Sequence, residues 1–422
     1  MSITYFPPLG ATPGTGQYVQ YGGGTIDAFG RLRVSQPYTL FDGESRYGND
    51  NAFDSLTATG GTVSYNTNQA STSLNVTTTS GSRVVRQTFR YMPYQPGKSL
   101  LLIATFVMNT GKTNLSQRVG FFDDNNGVFF STDGTTFNMN IRSNTSGTPS
   151  LTTVAQSAWN GDKLDGTGPS GLTLDPTKTN IFFMDLEWLG VGSVRTGFVI
   201  NGSYIVCNTF HNANTTKTTV YMTTATLPVR YEIVNTGTTA SSSSMTQICS
   251  SVMSEGGYEE ASQIYWARMS NTTAALSNVP VTNVFVPLVT IRLNSSKLGA
   301  VVVPAQYAVI PFSSSNYEVA LFKNATLTGA SYNTSTFADV DFDTTATAMT
   351  YTASNITQLS YVTNTPQSTA TVVTPQAYNW DLQLGVSLAG VSDTLTLGIR
   401  TIGASGSANS AMGALGFYDL SI

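Results

Sequence analysis

Charge is what this sequence has least of: Asp, Glu, Lys and Arg make up 10% of its 422 residues, against roughly 25% in an average soluble protein. Water must therefore be met by Ser, Thr, Asn, Gln and Gly. Those residue types, with abundant Val, Tyr and Phe, suit strands and turns and score poorly in helix interiors. The 20 basic and 24 acidic side chains are scattered singly, for a net charge of −4, so no basic stripe is present to displace counterions from DNA or RNA. Nucleic acid is not an expected partner. Histidine is almost absent, and any His-containing triad or His-ligated metal site has to use His211. In Thr209-Phe210-His211-Asn212 it follows a strand and reads as a surface or loop-anchoring imidazole. Cys207 and Cys249 are too few for a disulfide scaffold and read as buried free thiols in strand-like surroundings. There is no run of about 18 apolar residues, and Met1-Ser2-Ile3-Thr4-Tyr5-Phe6-Pro7-Pro8 has neither a basic nor an apolar leader segment. The expectation is a soluble, cytosolically made chain with no membrane span. Asn75, Asn114, Asn144 and further asparagines that open Asn-x-Ser/Thr triplets are by-products of an Asn- and Thr-rich surface.

What is there reads as all-β. At 44.9 kDa the chain exceeds what one hydrophobic core usually supports, so two domains follow. The first fifty residues differ from the rest: Pro7-Pro8, Pro13-Gly14, Gly16 and Gly22-Gly23-Gly24 deny helix and long strand. They nevertheless carry Tyr5, Phe6, Tyr18, Tyr21, Phe29, Tyr38 and Phe41, more aromatic surface than a disordered linker holds. Residues 1–50 therefore read as an extended docking arm.

From about Ala52, short alternating runs are divided by polar turn clusters, the spacing of a sandwich. Candidate strands are 83–91, 99–108, 117–122, 127–131, 138–143, 180–189, 195–205, 218–223, 229–235, 243–254 and 258–269, with 261–269 as an alternative short helix. Asn201-Gly202 marks a hairpin with 203–208 returning, and the stretches around Asp123-Asp124-Asn125-Asn126-Gly127 and Thr132-Asp133-Gly134 mark two more. A polar, proline-bearing stretch at 270–287 sets the domain boundary. Residues 51–275 form a jelly-roll or concanavalin-like sandwich and 276–422 a smaller one, with strands at 288–293, 300–303, 317–323, 359–362, 379–387 and 394–399. The stretch 326–357, rich in Thr, Ser, Ala and Asn, reads as long loops and edge strands.

The segment Ile26-Asp27-Ala28-Phe29-Gly30-Arg31-Leu32-Arg33-Val34-Ser35-Gln36-Pro37-Tyr38-Thr39-Leu40-Phe41-Asp42 resembles one shared by structural proteins of marine tailed phages, particularly cyanophages. Asp185-Leu186-Glu187-Trp188-Leu189-Gly190-Val191-Gly192-Ser193-Val194-Arg195-Thr196-Gly197-Phe198 extends the likeness. So do Tyr231-Glu232-Ile233 and Gln247-Ile248-Cys249-Ser250-Ser251-Val252-Met253-Ser254-Glu255-Gly256-Gly257-Tyr258. The resemblance implies a virion protein, made in the host cytoplasm, with a lectin-like jelly roll. It does not choose between head decoration, head fibre and tail appendage, and it carries no catalytic residues. By the same analogy the chain is a homo-oligomer, commonly a trimer, contacting other capsid or tail proteins. The arm's Tyr5, Phe6, Tyr18, Tyr21, Phe29, Arg31, Arg33, Tyr38 and Phe41 are the candidate assembly residues. Such an arm can hydrogen-bond along a neighbour's sheet edge.

Catalytic alternatives are few. Asp185 and Glu187, at i and i+2, share one face of a strand, and paired carboxylates about 5 Å apart serve retaining glycosidases. The glycosidase pattern Glu-x-Asp-x-Glu, however, has Phe183 at its first position here. The competing reading puts both carboxylates on a solvated face, paired with Arg195 or Arg230. Asp123-Asp124-Asn125-Asn126 lacks the alternate ligands of a calcium loop and reads as a turn. Gly22-Gly23-Gly24 does not join a strand to a helix as a phosphate loop does, so no cofactor and no metal are expected. Trp188, Trp266 and Trp380 read as core, whereas Trp159, in a loop, is the candidate glycan contact. The functional expectation is a non-enzymatic, surface-exposed virion structural protein. A host-polysaccharide-binding adhesin is the alternative, and a glycoside hydrolase ranks third.

Overall fold

The structure, a computed structural model, describes residues 36–259, 263–269, 277–279, 284–312, 315–363, 371–373, 380–403 and 409–421. Among them the chain is all-β, with helical structure limited to short 3-10 turns such as Gln156–Ala158, Ala353–Asn355 and Trp380–Leu382. No helix among them is long and apolar enough to cross a membrane.

The N-terminal sandwich stacks two antiparallel sheets. Sheet A runs Ser203–Phe210, Val194–Ile200, Asn180–Leu186, Ser99–Val107, Ser243–Glu255, Ser71–Val76, Thr62–Asn66, and Tyr38–Glu44 also pairs with Ser243–Glu255. Sheet B runs Ser150–Ala155, Thr136–Ser143, Gly127–Asp133, Leu115–Phe122, Val229–Asn235, Arg83–Thr88, Phe53–Ala58. Alternation turns every second side chain inward: Leu100, Leu102, Phe106, Phe182 and Phe198 from sheet A meet Val119, Phe121, Phe130 and Tyr231 from sheet B. Phe130 is the hub, its ring centroid 5.1 Å from that of Phe198 and 6.2 Å from those of Phe106, Phe137 and Phe182. Each such aromatic contributes about 1.5–3 kcal/mol through burial. One inward residue is an arginine. Arg86, fully buried, reaches across the core to Gln247 on sheet A, to Ser55 Oγ at 3.1 Å and to the Asp50 carbonyl at 3.0 Å. Burial pushes its guanidinium down to about 10, against the pull of Asp50.

The hairpins expected from sequence are present. Asn201 and Gly202 both take positive φ, 52° and 74°, and close Ile200 onto Ser203, the twist-matched two-residue turn. Gly127 closes the Asp123 turn at φ 142°, where a Cβ would lie 2.1 Å from that of Phe122, so the turn requires glycine there.

The C-terminal sandwich also stacks two antiparallel sheets. Sheet C runs Ile264–Arg268, Asn409–Asp419, Val302–Pro311, Thr371–Val373, with Ser277–Val279 also on Asn409–Asp419. Sheet D runs Asn333–Thr334, Val340–Asp343, Val286–Leu293, Thr394–Ile402, Asn316–Lys323, Ile356–Thr363. Ile291, Val319, Leu321 and Leu397 of sheet D meet Tyr307, Val309, Ala411 and Leu415 of sheet C.

Several expectations need correction. Tyr38–Glu44 lies inside the segment read as arm but is a strand of sheet A, because Leu40 and Phe41 are apolar enough to enter its core. Ile264–Arg268 precedes the boundary placed at 275 yet pairs with Asn409–Asp419, so the chain passes to the second sandwich before that point. It is also a strand and not a helix. Residues 218–223 form no strand, and within 379–387 the described residues form a 3-10 turn and an isolated bridge at Val386.

The two sandwiches are joined by direct contacts. Val386 N–H donates to the Phe89 carbonyl (2.8 Å), Leu388 N–H to Asp54 Oδ2 (2.7 Å) and Gln383 Nε2 to the Tyr91 carbonyl (2.8 Å). Gly385 sits so close that a Cβ would lie 2.8 Å from that of Phe89. At the edge of this seam Trp380 Nε1 donates to Tyr38 Oη at 2.8 Å, and the Tyr258 ring meets Trp380 edge-on at 5.1 Å and Tyr38 at 5.8 Å. Tyr38→Phe removes that acceptor while keeping the ring contacts. It is expected to lower stability by about 1 kcal/mol, read as a shift in the urea midpoint. An unchanged midpoint would show that the Trp380 bond contributes nothing.

Candidate functional site

Asp185 projects from the face of Asn180–Leu186 opposite the core, because Phe182, Met184 and Leu186 point inward, and Glu187 follows directly after the strand's last residue. The hairpin register sets Asp185 directly across from Arg195, and opposite charges at such a pair attract. Arg195 Nε donates to Asp185 Oδ2 at 2.8 Å, its Nη2 reaches the same oxygen, and Ser99 Oγ donates to Oδ1. Both carboxylates are fully buried, so the solvated face expected from sequence is corrected, while Arg195 is the partner that register favoured. Phe183, beside them, packs its ring 5.0 Å from Tyr204. A carboxylate that takes two arginine N–H groups on one oxygen and a hydroxyl on the other is held as a counter-ion.

A second polar cluster lies on the outer face of sheet B. Arg83, Arg118, Arg142, Arg230 and Glu232 come from four strands, and all alternate with inward residues such as Val84, Val119, Ile141 and Tyr231. Glu232 Oε1 accepts from Arg83 Nε at 3.0 Å and from Arg118 Nη1 at 3.4 Å, and Oε2 lies 3.2 Å from Arg230 Nη2. Burial alone would raise the Glu232 carboxyl. Arg230, Arg118, Arg83 and Arg142 outweigh it and hold the group below the usual range. Arg230, instead of serving Asp185 or Glu187, pairs with Asp124 at 2.9 Å and with Glu232. Its guanidinium and that of Arg142 lie 5.3 and 5.5 Å from the Phe122 ring, adding cation–π attraction. In the sequence, Arg230-x-Glu232 on a strand with inward Tyr231 and Ile233 is the visible trace of this cluster, but partners such as Arg83 and Arg118 lie more than a hundred residues from Glu232 along the chain.

Where sheet B meets the second sandwich, a cavity of about 400 Å³ opens, lined by Tyr91, Asp123, Asp124 and Arg230 on one side and by the 295–299 and 386–390 loops on the other. Asp123 Oδ1 takes the N–H groups of Asn125 and Asn126 at 2.8 and 2.7 Å, and its Oδ2 accepts from Tyr91 Oη at 3.3 Å. The turn read from Asp123 to Asn126 is therefore held by its own carboxylate.

The other sequence-singled residues distribute as follows. Trp159 is 2% exposed, inside the core, with Nε1 donating to the Val154 carbonyl at 3.1 Å; it offers no face to a sugar, which corrects the glycan-contact expectation. Trp266 is 43% exposed on an edge strand and is not core. Trp188 and Trp380 are partly buried against the first core. Phe41 is 1% exposed and packs against Phe53 at 5.7 Å, so it is a core residue and not an assembly surface. Tyr38 spends its ring within the chain, on Trp380 and Tyr258. Tyr5, Phe6, Tyr18, Tyr21, Phe29, Arg31 and Arg33 lie outside the described residues. His211 is exposed, with Nδ1 3.4 Å from Ser193 Oγ. Both cysteines are free, and Cys207 is buried as expected, but Cys249 is exposed.

No protein-family model and no curated protein matches the chain. Solved structures do resemble it over about half its length. A Bacillus licheniformis β-glucanase is 11% identical, the match covering 50% of this chain and 96% of that one at a TM-score of 0.31. For peanut lectin the values are 14%, 52%, 98% and 0.31, and for a Shewanella oneidensis protein of unknown function they are 9%, 56%, 94% and 0.34. The chain is an all-β protein whose described residues form two antiparallel sandwiches.

Proposed function

We propose that this chain is a non-enzymatic structural protein of a tailed-phage virion, placed on the particle surface as a head decoration, a head fibre or a tail appendage. Residues 1–35 carry most of the docking residues. Its partners are capsid or tail proteins and further copies of itself. The observation that carries the reading is the closed state of the acidic pair: Asp185 and Glu187 are fully buried, and Asp185 is paired with Arg195 and accepts a hydrogen bond from Ser99. A glycosidase needs two carboxylates facing a substrate across an open cleft. The resemblance of residues 26–42, 185–198 and 247–258 to phage structural proteins supports the same reading. Host-polysaccharide binding is the second reading, and the polar cavity between the sandwiches favours it.

The chain is expected to travel with intact particles through a density gradient and to be labelled on their surface by antibody against the C-terminal sandwich. Recovery in the soluble fraction alone overturns the proposal. Reducing-end release from host envelope polysaccharide that exceeds the blank and disappears in Glu187→Gln overturns its non-enzymatic part.

A further inference from the structure

We propose that the cavity between the two sandwiches binds a neutral sugar unit of a glycan. Its charged lining consists of two carboxylates, Asp123 and Asp124, and two cations, Arg230 and Lys297. These balance, so the site favours neither an anionic nor a cationic ligand as a whole. What it offers is a mixture of acceptors and donors: the two carboxylates, N–H groups of Arg230 and of Lys297, which also pairs with Asp339, the Asn125 amide, and the Ser296 hydroxyl oxygen, whose proton goes to Asn294 Oδ1 at 2.6 Å. That is the complement of vicinal hydroxyls, each of which donates one hydrogen bond and accepts others. A volume of about 400 Å³ lies in the range of small-ligand sites and accommodates a monosaccharide or disaccharide.

The Arg230 side chain is 1% exposed, and its nitrogens reach Asp124, Glu232 and Gln87, which fixes the guanidinium at the cavity wall. The cavity is also walled from both domains. The seam bonds of Val386 to Phe89 and Leu388 to Asp54 set the 386–390 loop opposite Asp123 and Asp124, so the binding surface is assembled by the docking of the two sandwiches and neither one contains it. This gives the adhesin reading a location; the particle-association experiment does not depend on it, so either can fail without the other.

The test uses the full-length protein with an array of neutral and acidic oligosaccharides, followed by calorimetric titration of the positives. At least one neutral hexose-containing oligosaccharide is expected to bind. Ser296→Trp, on an exposed loop residue, fills the cavity and is expected to weaken binding roughly tenfold or more. Asn125→Ala removes one amide and weakens it less. Thermal unfolding of both variants should match that of the parent, confirming that the fold is kept. Binding undiminished in Ser296→Trp, binding confined to acidic sugars, or a blank array each overturns the proposal.

Discussion

Removing residues 1–48 is expected to unfold the N-terminal sandwich, whereas removing residues 1–35 is expected to leave every described strand in place. The difference is the strand Tyr38–Glu44, paired with the second half of Ser243–Glu255 through a register shift at Leu40. Its Leu40 and Phe41 are 5% and 1% exposed, and Phe41 also receives the Arg90 guanidinium at 5.7 Å. Losing a buried Leu costs about 2–5 kcal/mol and a buried Phe about 3–5. Together that is comparable with the roughly 5–15 kcal/mol that holds a whole domain folded. The deletion also strips pairing partners from a long strand in the middle of sheet A, leaving an edge that invites aggregation. Circular dichroism and size-exclusion chromatography should show loss of cooperative unfolding and soluble aggregates for the longer deletion, and a parent-like melt for the shorter. A 1–48 deletion with the parent urea midpoint would mean that this strand contributes little. The consequence for function is direct: failure of a 1–48 deletion to join particles says nothing about docking, and the 1–35 deletion is the variant that tests it.

Glu232→Ala is expected to cost about 3–5 kcal/mol, the usual penalty for removing one member of a buried ionic cluster. Glu232 is 2% exposed and is shared by Arg83, Arg118 and Arg230; without it the fully buried Arg230 keeps only the exposed Asp124 as a carboxylate partner. The pH dependence follows from the direction of the shift. Burial raises the carboxyl and the four arginines lower it by more, so the folded-state pKa lies below the unfolded value of about 4.3. A group depressed on folding adds stability that is full above its unfolded pKa and is lost as pH falls through the folded one. Parent stability should therefore decline below roughly pH 4, and Glu232→Gln should flatten that part of the decline. Urea midpoints measured from neutral pH down to pH 3 provide the comparison. Parallel curves for parent and variant would show that the arginines do not depress this carboxyl.

The parts of the fold legible in the sequence were those that local chemistry controls. The Asn201-Gly202 hairpin was readable because its positive φ values suit few other pairs. The strands Leu115–Phe122, Thr136–Ser143 and Val229–Asn235 were readable because their inward positions are large and apolar. Asn409–Asp419 was missed, although it is the strand on which sheet C is built. Its inward positions include Ala411 and Gly413, and a Cβ on Gly413 would lie 2.9 Å from that of Leu288. Close sheet packing there selects small residues, which erase the hydrophobic alternation. Ser71–Val76 and Ser150–Ala155, built largely of Ser and Thr, were hidden for a related reason: polar β-formers look alike in strands and in loops.

At the candidate sites the division is sharper. Alternation alone puts Asp185 and Glu187 on one face, and one hairpin register brings Arg195 to Asp185. Whether that face meets water, and whether Trp159 lies in a loop or a core, depends on which distant segments lie over them. The same is true of the cavity, whose walls come from Tyr91, Asp123, Asp124 and Arg230 on one side and from the 295–299 and 386–390 loops on the other. The sequence by itself determined the all-β class, the strand periodicity and the turns, because steric preference and alternating burial act within a few residues. Only the tertiary structure decided which carboxylates are buried and which arginines they meet, because desolvation and Coulomb attraction depend on distance in space and not along the chain.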